Sequence, residues 1–227
     1  MATKAMKQVR GKRLRVTRLG PCGELPEPAE ECAFAVTSGF VQVELAAVVE
    51  DGEEITQPTA DGTLCVDVQS PPQFRRWDAS IELCDVDPEL VSMLTRVALE
   101  VDADGDVVGF RSRSGVVEEQ FALELWVGLG EDDCDNGQEY GYLLLPWLAG
   151  GTFGDLTVEN GVATVTIEGA HTRGGGQWGV GPYDVVADAQ GDPTTLGDAL
   201  EADEHFLRRR TSVAPPDAQV GCQDMPA

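Results

Sequence analysis

The sequence has few of the residues on which catalytic sites usually depend. Only two of its 227 residues are histidine, and neither His171 nor His205 lies in a metal-binding motif or beside a nucleophile motif. The six cysteines are scattered without a C-x-x-C pair, so neither a zinc site nor a thioredoxin-like redox site is indicated. These absences predict that the chain is not an enzyme and that it binds no metal or cofactor.

Long apolar segments are also lacking. The most apolar run, residues 140–149, is interrupted by Pro146 and is about half the length needed to span a bilayer. No apolar segment follows the N-terminal lysines, as a signal peptide would require. The sequence therefore predicts neither export nor a membrane anchor. In a reducing cytoplasm the cysteines are expected to be free thiols, although a particle that later leaves the cell could oxidise some of them.

Basic residues are scarce beyond residue 18. Seven of the 16 bases precede Leu19 and no acid precedes Glu24, so residues 19–227 contain 9 bases against 40 acids. An acidic body repels phosphate, which argues against a duplex-binding domain with a basic face. We expect a basic N-terminal arm over residues 1–18 and a single β-rich domain over residues 19–227. The arm is either a solvated tail or a strap that docks on a neighbouring copy.

Alternating apolar and polar residues predict a mainly β protein. The clearest alternation lies in residues 41–49, 77–84 and 121–127. Asn160-Gly161, between two β-rich runs, predicts a tight hairpin turn. Trp126 lies on the second face of its strand, where we expect another subunit to meet it. The predicted fold is a β-sandwich or partly closed barrel with one short flanking α-helix and extended arms or loops.

One helix is predicted over residues 88–97. Asp87 can cap it, Pro88 suits its first position, and the apolar residues that follow recur at helical spacing. A second, weaker helical turn is predicted over residues 196–202. Segments rich in acid, proline or glycine are expected to be loops: residues 20–31, 51–62 and 131–139.

Two motifs invite a chemical interpretation that their details oppose. Asp102-Ala-Asp-Gly-Asp106 resembles the start of a calcium loop, but Val107 replaces the required glycine and Arg113 replaces the bidentate glutamate. We therefore expect a tight acidic turn between two strands. Residues 174–176 are all glycine, but no Lys-Ser or Lys-Thr follows as a phosphate-binding loop requires. A turn at which the chain passes close to another backbone is expected instead.

Six sequence segments, none of them catalytic, run in the order found in one protein family. They are GKRLRVT (11–17), CDVDPEL (84–90), VVGFRSR (107–113), FALELW (121–126), YGYLLLPW (140–147) and WGVGPYDVV (178–186). In their joint order the chain resembles the major tail proteins of long-tailed bacteriophages that infect actinobacteria. The resemblance extends from about residue 5 to Cys222.

The resemblance implies a structural protein of the virion tail that is assembled in the host cytoplasm. It implies a β-sandwich core with a flanking helix, six copies closing into a ring, and rings stacking into a tube through which DNA passes. The implied partners are other copies, a tape measure protein in the lumen, and tail terminator and baseplate proteins at the ends. An acidic wall suits such a tube because it repels phosphate, so no specific nucleic-acid binding is expected.

The resemblance also favours the strap over the solvated tail, since a segment of +7 would neutralise part of an acidic neighbour. The residues expected at the subunit interface are Lys7, Arg10, Lys12, Arg13, Arg15 and Trp126. One alternative is another virion structural protein, such as a head decoration or baseplate component. A more distant alternative is a secreted calcium-binding or carbohydrate-binding β-sandwich.

Overall fold

The computed structural model describes residues 8–117, 119–129, 139–157 and 164–226. Within these ranges the chain is mainly β, with several sheets and a single helix, as the alternation predicts. The first strands are β1 (Gln8–Leu19), β2 (Phe34–Thr37), β3 (Phe40–Glu50), β4 (Glu54–Pro58), β5 (Leu64–Gln69) and β6 (Gln73–Leu83), and then α1 (Pro88–Leu94) follows. The remaining strands are β7 (Val97–Val101), β8 (Val107–Ser112), β9 (Gln120–Leu129), β10 (Tyr140–Ala149), β11 (Thr152–Thr157), β12 (Thr164–Thr172), β13 (Val186–Ala187), β14 (Pro193–Thr194) and β15 (Leu207–Thr211).

The main sheet has the strand order β2-β1-β9-β10-β12-β6-β3, with β15 added to β10 and β11 added to β12. Strand β10 changes partner along its length: residues 140–144 pair with β15, whereas Leu148 and Ala149 pair with β12. A register shift between Leu145 and Leu148 accompanies this change and includes Pro146, which has no N–H for the ladder. Strand β10 therefore joins two halves of the sheet.

One apolar core lies between the two halves of the sheet and α1. Strand β9 contributes Phe121, Leu123 and Leu125, because alternate residues of a strand point to the same face. Strand β6 contributes Ala79, Ile81 and Leu83 by the same alternation. The predicted core faces of these two strands are confirmed.

The second face of β9 is covered by the chain itself. Ala122 and Trp126 pack beneath a long C-terminal segment that has little regular structure. That segment contributes Trp178, Tyr183, Val185, Leu196 and Met225 to a second apolar cluster. Trp126 is 1% exposed, so its ring is a core residue of this chain rather than the exposed interface residue that the sequence suggested.

Helix α1 begins at residue 88, as predicted, and ends at Leu94, three residues before the predicted end. The Asp87 carboxylate accepts a hydrogen bond from the Glu89 N–H at 2.9 Å, and Pro88 occupies the first turn. Thr95 has extended backbone angles, and both its N–H and its hydroxyl donate to the Val91 carbonyl. These bonds cap the helix at its C-terminus, and the chain then enters β7.

Three local predictions have different outcomes. Strands β11 and β12 pair as an antiparallel hairpin, but Asn160-Gly161 lies outside the described residues. Residues 196–202 form bends and turns instead of helix, because the Leu196 and Leu200 N–H groups donate to the distant Val180 and Gly179 carbonyls. Residues 51–62 are not simply a loop, since they include β4, which pairs with β5.

A disulfide corrects the expectation that all the cysteines are free thiols. Cys32 and Cys222 are bonded across a separation of 190 residues, which ties the C-terminal segment to the loop before β2. Cys22, Cys65 and Cys84 are free and exposed. The disulfide holds the end of the segment that covers the second apolar cluster.

Candidate interaction surfaces

The two motifs that invited a chemical interpretation form turns. The Asp102 carboxylate accepts hydrogen bonds from the Asp104 and Asp106 N–H groups, each at 3.0 Å, and so closes the tight turn between β7 and β8. The turn requires Gly105, whose φ is 92°. Asp102 is thus occupied by backbone donors, which confirms the prediction of an acidic turn.

The glycine run brings two backbones together, as expected. A Cβ on Gly174 would lie 2.1 Å from the Ala202 carbonyl oxygen, and one on Gly175 would lie 2.2 Å from that of Glu201. Any side chain at these positions would push the C-terminal segment away. The glycines therefore permit packing and form no phosphate-binding loop.

The environment of His205 is set by residues of β12 and β6. The His205 ring shares a hydrogen bond of 2.7 Å with the Thr172 hydroxyl, and its edge meets the Phe74 ring. Partial burial lowers the pKa of His205, while Asp203 acts in the opposite direction. This environment favours the neutral imidazole, and its contacts attach β12 and the outer part of β6 to the segment before β15.

The basic N-terminal residues are largely part of the sheet. Lys7 lies outside the described residues, whereas Arg10, Lys12, Arg13 and Arg15 all belong to β1. Strand β1 pairs with β9 from Gln8 to Leu19 and with β2 at residues 14–17, so residues 8–18 belong to the main sheet rather than to a separate arm. Of the four residues, only Arg10 and Lys12 are exposed.

Arg15 forms a buried ion pair with Glu124 on the neighbouring strand. Arg15 Nε and one terminal nitrogen each donate to a carboxylate oxygen at 2.6 Å, and the two residues are 6% and 0% exposed. The Tyr142 hydroxyl donates to the same carboxylate at 2.6 Å. The guanidinium lies 3.3 Å from the Tyr183 ring centroid, so the pair is enclosed on all sides by this chain.

This enclosure shifts the pKa values of three groups. Burial opposes the charged form of Arg15, but the Glu124 carboxylate outweighs it and raises the Arg15 pKa. Burial and the negative Glu124 raise the pKa of Tyr142. Burial raises the pKa of Tyr183 to about 12, although Arg15 acts against this increase. Within this network both phenols are held neutral.

A group of cations remains at the outer end of the sheet. Arg13, Trp126, Tyr142 and Arg209 are successive partners across β1, β9, β10 and β15, so their side chains share one face. Arg10 pairs with Gly128 one step further out, and the Lys12 side chain lies over Gly128. We call Arg10, Lys12, Arg13 and Arg209 the cationic patch.

Two buried donors at this patch have no acceptor among the described residues. They are Arg13 Nε and Trp126 Nε1, which belong to residues that are directly paired across β1 and β9. Buried N–H groups normally have a hydrogen-bond partner, because an unmade bond costs about 1–3 kcal/mol. Within the same described ranges, Arg10, Lys12 and Arg13 form no ion pair. The patch thus has donors and positive charge in excess of what the described chain satisfies.

A second unpartnered surface is the hairpin of β4 and β5. We call residues 51–72 the arm; it continues the β3–β6 ladder outward, through a hydrogen bond from the Ser70 N–H to the Glu53 carbonyl. Every residue from Glu53 to Arg76 is exposed. At the arm's base, a Cβ on Gly52 would overlap the Ser70 carbonyl, so the two ends of the arm lie there in close contact.

The two faces of the arm differ in chemistry. Ile55 pairs with Val68, and Gln57 pairs with Val66, so one face carries three apolar side chains that are 52%, 54% and 39% exposed. The opposite face carries Glu54, Thr56, Asp67 and Gln69. Residues 51–72 include five acids and no base. The arm is therefore amphipathic, although no core of this chain lies against its apolar face.

Asp61 orders the turn at the tip of the arm. Asp61 accepts hydrogen bonds from the Thr59 and Thr63 hydroxyls and from the Thr63 N–H. These bonds, above all the one from Thr59, lower the pKa of Asp61 to about 2. The tip of the arm thus has a defined shape and a fixed negative charge.

Sequence reasoning interpreted residues 51–62 as a loop because acid, proline and glycine are frequent there. The signal that could have identified β5 is the alternation Leu64, Val66, Val68, which continues the period-2 pattern beyond the presumed loop. Arg209 was also missed, since nothing in the sequence shows that β15 lies beside β10.

Comparison with protein-family models gave no match, and comparison with curated proteins gave none. Within the described residues, the one helix has seven residues and is too short to cross a bilayer.

Proposed function

We propose that this chain is a structural subunit of a virion that associates with copies of itself, and specifically the major tail subunit whose stacked hexameric rings form the tail tube. The observation that carries the proposal is the arm, which is exposed on both faces and apolar on one. The order of the tail-protein sequence segments supports the tube over other assemblies.

An isolated two-stranded hairpin is only marginally stable in water, because it lacks a core to pack against. The arm places Ile55, Val66 and Val68 on a single face, as a strand does when that face is to be buried. Exposed apolar surface of this kind is typical of protein interfaces. A second copy that covers this face would supply the missing packing.

The outer surface of the main sheet suits a conduit for DNA. In the middle of β3, β6 and β12 most residues opposite the core are polar, and they include Glu44, Glu82 and Glu168. No lysine or arginine lies in the segments 42–46, 78–82 and 164–168. Such a wall repels phosphate, so DNA would pass along it without binding.

Electron microscopy of the purified protein tests the proposal directly, with sedimentation velocity as a solution measure. We expect rings or short tubes whose formation increases with protein concentration. The variant Val66→Ser/Val68→Ser should assemble at least about tenfold less readily, since two apolar side chains lose their burial. The matched control is Val116→Ser/Val220→Ser, which changes two other exposed valines.

A monomeric profile at all salt and protein concentrations would overturn the assembly proposal. Equal loss of assembly in the two valine variants would show that the arm has no special role. Circular dichroism and the melting temperature of the core should be unchanged in both variants, since all four valines are exposed.

A further inference from the structure

The arm and the cationic patch carry opposite charge. The arm has five acids and no base, whereas the patch consists of four cations, three on β1 and one on β15. In a chain with a formal charge of −24, a cluster of cations that forms no ion pair among the described residues stands out. The two surfaces are the most complementary pair that the described residues offer.

The exposed cations of the patch lie on β1. Arg10 and Lys12 are exposed, whereas Trp126 and Tyr142, which lie between Arg13 and Arg209 across the sheet, are buried. The acidic face of the arm, from Glu54 to the level of Pro58, is about 14–17 Å long at the usual strand rise. Glu54 and Asp67 lie on this face and form no ion pair among the described residues.

The exposed cations of the patch favour an anionic occupant. Arg10 and Lys12 are exposed and form no ion pair among the described residues, whereas the donors Arg13 Nε and Trp126 Nε1 are buried within the chain. A carboxylate accepts charge-assisted hydrogen bonds, which are stronger than neutral ones. An acidic β-hairpin therefore fits the patch in both charge and bonding.

The arm of a chain lies far from the patch of the same chain. At the N-terminal end of β3, the Phe40 ring packs against Gly11, which lies between Arg10 and Lys12 in the sequence. The arm leaves from the other end of β3, past Glu50, which is about 30 Å away along an 11-residue strand. It then extends outward with all of its residues from Glu53 exposed. The patch of another copy is the available partner.

We propose that the acidic face of the arm docks on the cationic patch of a second copy of this chain. This inference rests on the proposed self-assembly and adds to it a second contact, made by the opposite face of the arm. Glu54 and Asp67 of one copy face Arg10, Lys12 and Arg13 of the next. The apolar face of the arm is then turned away from the patch, toward a further surface of the assembly.

An interface of this kind is heterologous, because the arm and the patch are different surfaces of the same molecule. Heterologous contacts leave one free arm and one free patch at every stage of growth. They generate a ring when the rotation closes and a filament when it does not. A subunit with its arm and its patch at opposite ends of β3 can therefore add copies in one direction.

Charge reversal in two separate variants tests the contact. Glu54→Lys/Asp67→Lys reverses the arm, and Arg10→Glu/Lys12→Glu reverses the patch. Each variant alone brings like charges together, so we expect the concentration for half-assembly to rise at least about tenfold. An equimolar mixture of the two restores opposite charges at every contact and should regain assembly within a few-fold of the parent.

The controls change the same charges elsewhere on the surface. Asp198→Lys/Asp217→Lys matches the arm variant, and Arg18→Glu/Arg113→Glu matches the patch variant; all four residues are exposed. Mixing the two controls should have no specific effect. If the arm variant Glu54→Lys/Asp67→Lys shows a lowered melting temperature, Glu54→Gln/Asp67→Asn takes its place. The proposal then requires that this neutral variant also assembles less readily than the parent.

The outcomes separate the two proposals. Failure of the parent protein to associate at any concentration would overturn both the self-assembly and this contact. Normal assembly of the parent, together with reversed variants that assemble equally well, would overturn the contact alone. Weakened variants whose mixture stays dispersed would also overturn it, and would assign the patch to an acidic segment of its own chain.

Discussion

Arg15 and Glu124 are 109 residues apart in the sequence and form a two-bond ion pair, with both N···O distances 2.6 Å. They are direct partners across β1 and β9, so the pair joins these neighbouring strands on their second face. The ring of Tyr183 covers the guanidinium from the C-terminal segment. The pair is thus the point at which three distant parts of the chain meet.

The first prediction concerns removal of one member of this pair. Glu124→Leu leaves the Arg15 charge buried without its partner and should lower the free energy of unfolding by about 3–5 kcal/mol. The double variant Arg15→Met/Glu124→Leu removes both charges and should recover at least about 2 kcal/mol of that loss. Urea denaturation measures both changes. A double variant that is less stable than the single variant would show that the stacking of Arg15 matters more than its charge.

The second prediction concerns the tyrosines at high pH. Because burial raises the pKa of Tyr183 to about 12 and also raises that of Tyr142, both phenols should stay neutral in the folded protein at pH 11. In the unfolded chain they ionise near pH 10. Their contribution to stability is therefore complete below about pH 10 and is lost as the pH rises toward about 12. Absorbance titration of the phenolate checks this, with Tyr183→Phe as the control; early ionisation of both phenols would contradict the enclosed network.

The third prediction concerns the disulfide. Cys222→Ser should lower the free energy of unfolding by about 2–4 kcal/mol under oxidising conditions and should have no effect once the protein is reduced. Cys22→Ser, which changes an exposed free thiol, should have an effect within about 0.5 kcal/mol. Thermal denaturation with and without reductant compares the two. A peptide that contains both Cys32 and Cys222 should appear in the non-reduced digest, and its absence would contradict the pairing.

The fourth prediction concerns salt. At about 0.01 M salt the Debye length is about 30 Å, so the formal charge of −24 on each copy opposes association. At about 1 M it falls to about 3 Å, which weakens the contact between arm and patch. We expect assembly, measured by light scattering, to be greatest between these limits. In Arg10→Ala/Lys12→Ala the decline at high salt should disappear; a steady rise with salt in the parent would show that attraction between charges contributes little.

The fold class followed from residues whose burial is decided locally. Alternation along 77–84 and 121–127 identifies strands because each has one face in the core. Asp87 and Pro88 identify the start of the helix because capping involves only neighbouring residues. The acidic turn at Asp102 was equally predictable, since its hydrogen bonds join residues two and four apart.

The features that the sequence did not predict depend on contacts between distant parts of the chain. The basic residues of β1 suggested an extended N-terminal segment, but Arg15 contacts Glu124 only after β1 pairs with β9. Leu196 suggested a helix, but its burial comes from the second apolar cluster rather than from helical neighbours. Six cysteines allow 15 pairings, so the bond between Cys32 and Cys222 could not be chosen from the sequence.

The covering of the second sheet face has a consequence for synthesis on the ribosome. Strands β1 and β9 are complete once residue 129 has emerged, yet Trp178, Tyr183 and Leu196 come later. Until then Trp126 and the ion pair face water, and the nascent chain exposes an aromatic surface. Contacts of such long range form slowly. A chaperone that binds exposed aromatic residues would therefore act between synthesis of β9 and closure of the C-terminal segment, and only chains finished through this segment would be released to assemble.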